Sequence, residues 1–295
     1  MNAQTPCRPM YDRVAYNQDM RKSLGSKLFF LPHIPVHVVN QYVDFGCADG
    51  SMLKSLGKLS PQAELVGVDN DLYQRSATLA NVPNIGYVAS SLDKVSVLES
   101  GSVLVLSSVL HEIMSAPEAG NTPLDAARYF AHWWAQIEKL GFDYIVIRDF
   151  GVSGYLRHLK TPRAWLDAVI GSSLEGEWGR MLQVSERWGL SCSASAYAFT
   201  HYLLKRTYVD NWARELDENY LALDRESLIS LLTDNGQYRL KHFRGTQTKK
   251  FANDCERDLG ITVDWGTHSE IVLVRDTGTP RWPAKRHPAT AGDAS

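Results

Sequence analysis

Two short stretches hold the residues best suited to chemistry. Val43 to Gly50 reads VDFGCADG, and Glu64 to Asp69, ELVGVD, follows close behind. Gly46, Ala48 and Gly50 make a turn of very small residues after the end of a buried strand, Val43 to Phe45. A helix-period run starts at Ser51, with Met52, Leu53, Leu56 and Leu59 on one side. Strand, small turn and helix start in that order leave main-chain N–H groups pointing outward with nothing bulky in a polar ligand's way. Asp69 ends the second strand of what reads as a βαβ unit, where a carboxylate can hold a ribose diol. Singly, the turn is equally a tight bend and Asp69 equally a helix cap; together, at this spacing, they favour a ligand site. A second group, His111 with Glu112 and then Asp149, follows two later strands; the imidazole is the side chain suited to accept a proton near neutrality.

The elements that position these residues alternate along the chain. Strand patterns fall at Tyr42 to Phe45, Glu64 to Asp69, Ile85 to Ala89, Ser102 to Leu106 and Tyr144 to Ile147. Helix patterns fall between them at Leu72 to Ala80, with a short helix or turn over Leu92 to Glu99. The helix after the fourth strand is the best signalled: Thr122 is its N-cap, Pro123 its first residue, and Gly141 follows its end. Leu124, Ala127, Phe130, Ala131, Trp134, Ile137 and Leu140 recur in it at helical spacing. Such alternation predicts a parallel sheet with helices on both faces and a ligand at the carboxyl ends of the strands. Residues 1–40, with a helix over Tyr11 to Gly25 and prolines at Pro32 and Pro35, form an N-terminal cap ahead of a core at 41–154. Residues 155–223 interrupt the alternation with helices expected at Pro162 to Ile170, Glu177 to Trp188 and Asp210 to Leu221. Leaving from the fifth strand, this insertion is expected to lie over the ligand edge. Residues 224–275 return to the core with a helix to Gly236, a strand at Tyr238 to Phe243, a loop from Arg244 to Trp265 and a last strand, Glu270 to Arg275. The tail, 276–295, is Pro-, Ala- and Thr-rich and reads as disordered.

The totals exclude several classes. The 295 residues are 44% hydrophobic and 22% charged, with a net charge of −2, so no global charge advertises nucleic acid or membrane. No signal segment and no long apolar run is present, and a cytoplasmic location is expected. Cys7, Cys47, Cys192 and Cys255 lack metal or redox spacing, and no metal is expected.

Taken in order, VDFGCADG, the Gly67–Asp69 GVD, VLVLSSVLHEI (Val103 to Ile113) and YIVIRDF resemble the motifs of the class I S-adenosylmethionine (SAM)-dependent methyltransferases. The resemblance covers about residues 40–150 and 224–275. It implies an α/β, doubly wound, mostly parallel seven-stranded sheet with a reversed last strand and a helical insertion after the fifth. It also implies SAM as cofactor. Asp44, Gly46, Ala48 and Gly50 would surround the methionine moiety, with Cys47 inside the turn; Asp69 would take the ribose hydroxyls, with Asn70 beside it. Ser90, Ser91 and Leu92 stand where many members carry an acid for the adenine amino group, and Ser107 and Ser108, after the fourth strand, are expected as further cofactor contacts. The G-x-A-x-G turn is shorter than the G-x-G-x-x-G that a nicotinamide pyrophosphate needs.

Methyl transfer from a sulfonium requires alignment and exclusion of water, and a base only where the acceptor must lose a proton. His111 is the foremost base, with Glu112 to orient it; the alternative is a contact to SAM without catalysis. Asp149 is a second base or a cap. The acceptor is read as a small or phosphorylated molecule methylated on oxygen or nitrogen. The basic run RLKHFRGTQTKK from Arg239 to Lys250 would grip phosphates or, alternatively, form a solvated strand face. An RNA or other nucleic-acid acceptor and a non-catalytic scaffold are the alternatives. The SSVLHE after the fourth strand lacks the pattern of exocyclic-amine DNA methylation.

Overall fold

The computed structural model describes residues 13–120, 122–169, 179, 195–208 and 215–276. Seven strands form one sheet: β1 Gln41–Phe45, β2 Glu64–Val68, β3 Ile85–Ala89, β4 Ser102–Ser107, β5 Tyr144–Phe150, β6 Tyr238–Thr246 and β7 His268–Arg275, in the order β3-β2-β1-β4-β5-β7-β6. The first five strands pair in parallel, while β7 runs antiparallel between β5 and β6. This is the mixed, doubly wound sheet with one reversed strand that the resemblance implies.

Alternation along the central strands assigns the two faces. Val43, Phe45, Leu104, Leu106, Ile145 and Ile147 bury against Phe130, Trp134 and Ile137 of α6 (Pro123–Leu140) and Leu228 and Leu232 of α9 (Arg225–Thr233). Tyr42, Val103, Val105, Tyr144 and Val146 point the other way, onto Phe30 and Val39 of the N-terminal segment and Met52, Leu53 and Leu56 of α3 (Ser51–Leu59). A period of two, with both faces apolar, is what a sheet covered on both sides requires. Leu59 and Leu124, counted above among the apolar faces of their helices, are exposed, because each lies at a helix end beyond the reach of the sheet. Thr122 accepts from the Asp125 amide and Gly141 takes a left-handed conformation, so both ends of α6 are capped as its sequence requires.

The N-terminal segment runs through α1 (Arg13–Lys22) and α2 (Leu24–Lys27). Asn17 on α1 and Gln74 on α4 (Leu72–Asn81) exchange two buried amide hydrogen bonds of 3.1 Å, which fix the segment against the core.

Between β5 and β7 the described residues depart from expectation in three places. The helix expected at Glu177 to Trp188 lies outside the described residues, apart from Gly179. Leu216 to Leu221 is turn and loop rather than the end of a helix, and α8 (Ala196–Arg206) is a helix that was not expected. It is buried on nearly every side, so it lacks the polar stripe that marks a surface helix. The loop expected from Arg244 to Trp265 contains a three-turn helix, α10 (Lys249–Leu259), whose Phe251 and Cys255 pack with Phe199, Tyr202 and Ile261 in a second apolar cluster.

Gly50 tests how tightly the turn after β1 is packed. Its φ is +74°, and an added Cβ would come 2.5 Å from Val82 Cγ2 and 2.7 Å from Thr78 Cγ2. Gly50→Ala is expected to lower the unfolding free energy by about 2–4 kcal/mol, combining left-handed strain with overpacking. Urea midpoints of the two proteins measure this.

Candidate active site

The carboxyl ends of β1, β2, β4 and β5 bring the sequence-selected residues to one edge. The turn after β1 is a run of left-handed residues, with φ of +76° at Gly46, +47° at Ala48 and +74° at Gly50. Ala tolerates this conformation poorly, so something must hold it. The holder is Asp69: its Oδ2 accepts from the Ala48 amide at 3.0 Å, while Oδ1 accepts from the Asp71 amide at 2.9 Å. From below, Thr78 Oγ1 donates to the Ala48 carbonyl at 2.6 Å and Asn81 Nδ2 to the Asp49 carbonyl at 2.9 Å. Gly46 remains exposed at the mouth of the turn. Each Asp69 oxygen retains a lone pair for a ligand hydroxyl. Asn70 beside it is half-buried. Cys47 is buried with its sulfur 3.6 Å from Thr78 Oγ1, and burial raises its pKa well above the ordinary range, so it stays a packed thiol.

Past β3, Ser91 and Leu92 are buried and Ser90 Oγ accepts from Lys94 Nζ at 2.7 Å. Ser107 ends β4, and Ser108 follows it with a φ of +58°, its amide donating 2.7 Å to the Arg148 carbonyl. The turn after β4 is held as the first one is. Asp149, near the end of β5, accepts from the Leu110 amide at 2.6 Å and the His111 amide at 3.4 Å through Oδ2. Its Oδ1 takes the Phe150 amide at 2.7 Å and meets His111 Nδ1 at 2.6 Å.

His111 and Asp149, two separate candidates in the sequence, are therefore one buried pair. Asp149 orients the ring in place of Glu112, the neighbour proposed for that task. On the other side His111 Nε2 lies 3.5 Å from Glu218 Oε2, contributed by the insertion, and the edges of Phe150 and Tyr220 close round the ring. Burial pulls the His111 pKa down, but the Asp149 charge and hydrogen bond outweigh it and raise the pKa above the ordinary histidine value. Burial likewise works to raise Asp149, and His111 more than reverses it.

Two further residues went unnoticed in the sequence. Lys27, at the end of α2, is buried where Asp44, Asp49 and Asp149 face it, and burial and then Arg148 lower its pKa to about 8. Asp44 is buried too, and desolvation raises it to about 7 despite Lys27. Nothing in the local sequence marks Lys27 or Glu218; both reach the edge through tertiary packing. A cavity of about 370 Å³ opens between α1 and α4, lined by Asn17, Arg21, Asp49, Tyr73 and Asn81 among others. Only Asp49 there belongs to the turn, so this cavity lies beside the site. Among the described residues no group of His, Cys, Asp and Glu is arranged to hold a metal ion, and no helix is long and apolar enough to cross a membrane.

The basic run lies along the outer strand β6 and the start of α10. Lys241 sits 5.2 Å over the Tyr144 ring, Arg244 pairs with Glu270, and Lys250 pairs with Asp254. Arg239, Lys241 and Arg244 are exposed, so the run lies on a solvated strand face.

No protein-family model matches the sequence, and no curated protein does. Solved structures with related folds include the plantazolicin methyltransferase BamL in complex with a triazolic desmethylPZN analog and SAH, at 13% identity and a TM-score of 0.49, covering 91% of each chain. An S-adenosylmethionine-dependent methyltransferase from Mesorhizobium loti has 14% identity and a TM-score of 0.47, covering 86% of this chain and 97% of that one. The magnesium protoporphyrin IX methyltransferase ChlM from Synechocystis PCC 6803, with bound SAH, has 10% identity and a TM-score of 0.44, covering 92% and 89%. Likeness at these scores leaves the sheet order to stand on the chain's own strand pairing.

The raised carboxyls give the fold a pH dependence. A carboxyl whose folded pKa exceeds its unfolded value supports the fold when protonated; that support is complete below about pH 4 and lost as pH rises towards 7. Asp44, at about 7, and Asp69, at about 6, both act in this window, whereas Asp149 acts below it. Relative to the wild type, Asp44→Asn is expected to gain stability as pH rises from 4 to 7, because only the wild type then carries a charge on that buried carboxyl. Denaturant midpoints across the range measure the difference.

Proposed function

We propose that the chain is a SAM-dependent methyltransferase that removes a proton from an oxygen or nitrogen acceptor through His111. One observation carries the reading: a left-handed turn of small residues, open at Gly46 and tied to Asp69, stands on the same sheet edge as a buried His–Asp pair supplied by the next two strands, β4 and β5. The first suits a donor that needs close main-chain approach and a carboxylate for a diol; the second suits a base.

Asp44, Gly46, Ala48 and Gly50 would receive the aminoacyl part of SAM, Asp69 the ribose hydroxyls, and Ser91 and Leu92 the adenine ring. Gly46 fits this role by its exposure: a Cβ there would fill the mouth of the turn, 3.2 Å from Val109 Cγ2. When bound, SAM supplies a methyl group on a positively charged sulfur, which is already activated toward displacement. The chain then has to position the acceptor and take its proton. Asp149 receives the Nδ1 hydrogen of His111 and fixes the tautomer, leaving Nε2 as the accepting atom. The proton lost by the acceptor arrives there, and Asp149 and Glu218 flank the imidazolium that results. Phe150 and Tyr220 keep water from the ring.

The acceptor is small under this reading, because the basic run is spread along an outer strand instead of lining a groove. A nucleic-acid acceptor and a scaffold role are the readings it displaces.

Calorimetric titration with SAM separates enzyme from scaffold, and failure to bind at millimolar concentration contradicts the reading. Asp69→Ala is expected to weaken SAM binding by about 1–3 kcal/mol, the scale of a lost charged hydrogen bond. His111→Ala is expected to slow turnover about 100-fold or more while SAM affinity changes by less than about threefold. Because the base must be neutral and its pKa is raised, the rate should increase with pH along a limb above about 6.5. Equal losses of turnover and affinity would make His111 a structural contact.

A further inference from the structure

Resting on the reading above, we infer that Arg148, together with Ser107 and Lys27, binds a carboxylate carried by the methyl acceptor, which is therefore an organic acid. Ser107 and Arg148 are register partners on β4 and β5, so their side chains leave the same face of the sheet side by side. Both are more than nine-tenths buried, at 8% and 4% exposure. Ser107 Oγ and Arg148 Nε are buried with no hydrogen-bond partner. The carboxylate expected to neutralise Arg148 by register is Glu270 on β7. Glu270 is instead taken by Arg244, through contacts of 3.0 and 2.8 Å, and by Thr246 at 3.4 Å. A buried guanidinium whose nearby carboxylates, Glu270 and Asp149, are hydrogen-bonded elsewhere is costly to retain, and a ligand that supplies a bonded anion explains its retention.

The surrounding charges select the kind of anion. Lys27 is faced by Asp44, Asp49 and Asp149; Arg148 is faced by Glu270, Asp149 and the Tyr208 phenol. Asp149 is committed to His111 and three main-chain amides, and Glu270 to Arg244. Neither carboxylate is hydrogen-bonded to Arg148, and a carboxylate ligand, with one negative charge, adds the least negative charge to this edge. A phosphate dianion would set surplus negative charge beside Asp44 and Asp149. A planar carboxylate can also accept from the guanidinium fork and the Ser107 hydroxyl together.

Position favours the acceptor over the cofactor as the source of this group. Arg148 stands on β5, two strands from the turn after β1, and leaves the sheet on the face opposite Asp149.

The test is binding of benzoate, benzamide and inorganic phosphate to the full chain by calorimetry, with and without saturating SAH. Benzoate is expected to bind at least tenfold more tightly than benzamide or phosphate. In Arg148→Gln that preference should vanish while SAH affinity changes less than threefold. Equal binding of benzoate and benzamide, survival of the preference in the variant, or tighter binding of phosphate each overturns the assignment. A tenfold loss of SAH affinity in Arg148→Gln, with no benzoate effect, would overturn it by giving the guanidinium to the cofactor's own carboxylate. If the wild type fails to bind SAH, the methyltransferase reading falls, and the benzoate comparison without SAH still decides the Arg148 site. Should Arg148→Gln not fold, Ser107→Ala replaces it: a severalfold loss of the benzoate preference is expected, and no change overturns the proposal.

Discussion

The site depends on one repeated interaction, a carboxylate at a strand end that accepts main-chain N–H groups from the turn leaving the neighbouring strand. Asp69, just past β2, holds the turn after β1 through the Ala48 amide, and Asp149 on β5 holds the turn after β4 through the Leu110 and His111 amides. Both turns contain a non-glycine residue at positive φ, Ala48 and Ser108. That conformation is unfavourable without an external hold. Under the proposed function the same two carboxylates would also serve the chemistry, Asp69 by taking a diol and Asp149 by orienting the imidazole it already meets. Positioning and function are thus carried by the same oxygens, which binds the geometry of the site to the integrity of the sheet edge.

Keeping so many charges at a buried edge is costly, and the arrangement shows how the cost is contained. Asp149 and His111 neutralise each other, and the pKa of each is pushed in the direction that favours the ion pair. Lys27, delivered by the N-terminal segment, faces Asp44. His268, next to Arg148, is held neutral, because burial and the nearby guanidinium lower its pKa to about 3. Arg148 has Glu270 and Asp149 near it, but its Nε is buried without a hydrogen-bond partner.

Much of this was legible in the sequence where the signal was local. The small-residue turn, the acid after the second strand, the buried strands and the capped helix from Pro123 to Leu140 each rest on residue types whose local physics is decisive. Pairings made through space were not legible. The sequence offered Glu112 as the residue orienting His111 and Asp149 as a separate base; the fold brings Asp149, and not Glu112, to the ring. Lys27 and Glu218 sit in unremarkable sequence and matter only through their approach in space to Asp44 and His111. The helix Lys249–Leu259 was overlooked because only Phe251 and Cys255 among its residues are buried and apolar. Thr248 before it and Gly260 after it were the available caps.

Central to this account is that residues 46–50, anchored by Asp69, form the seat of an adenosyl amino acid. Titrating the ¹⁵N-labelled protein with SAH and following backbone amides by TROSY NMR tests that claim most directly. Saturable shifts at Gly46, Ala48, Gly50 and Asp71, absent with NADH, are the expected result. Unmoved amides at millimolar SAH, or the same shifts with NADH, would contradict it.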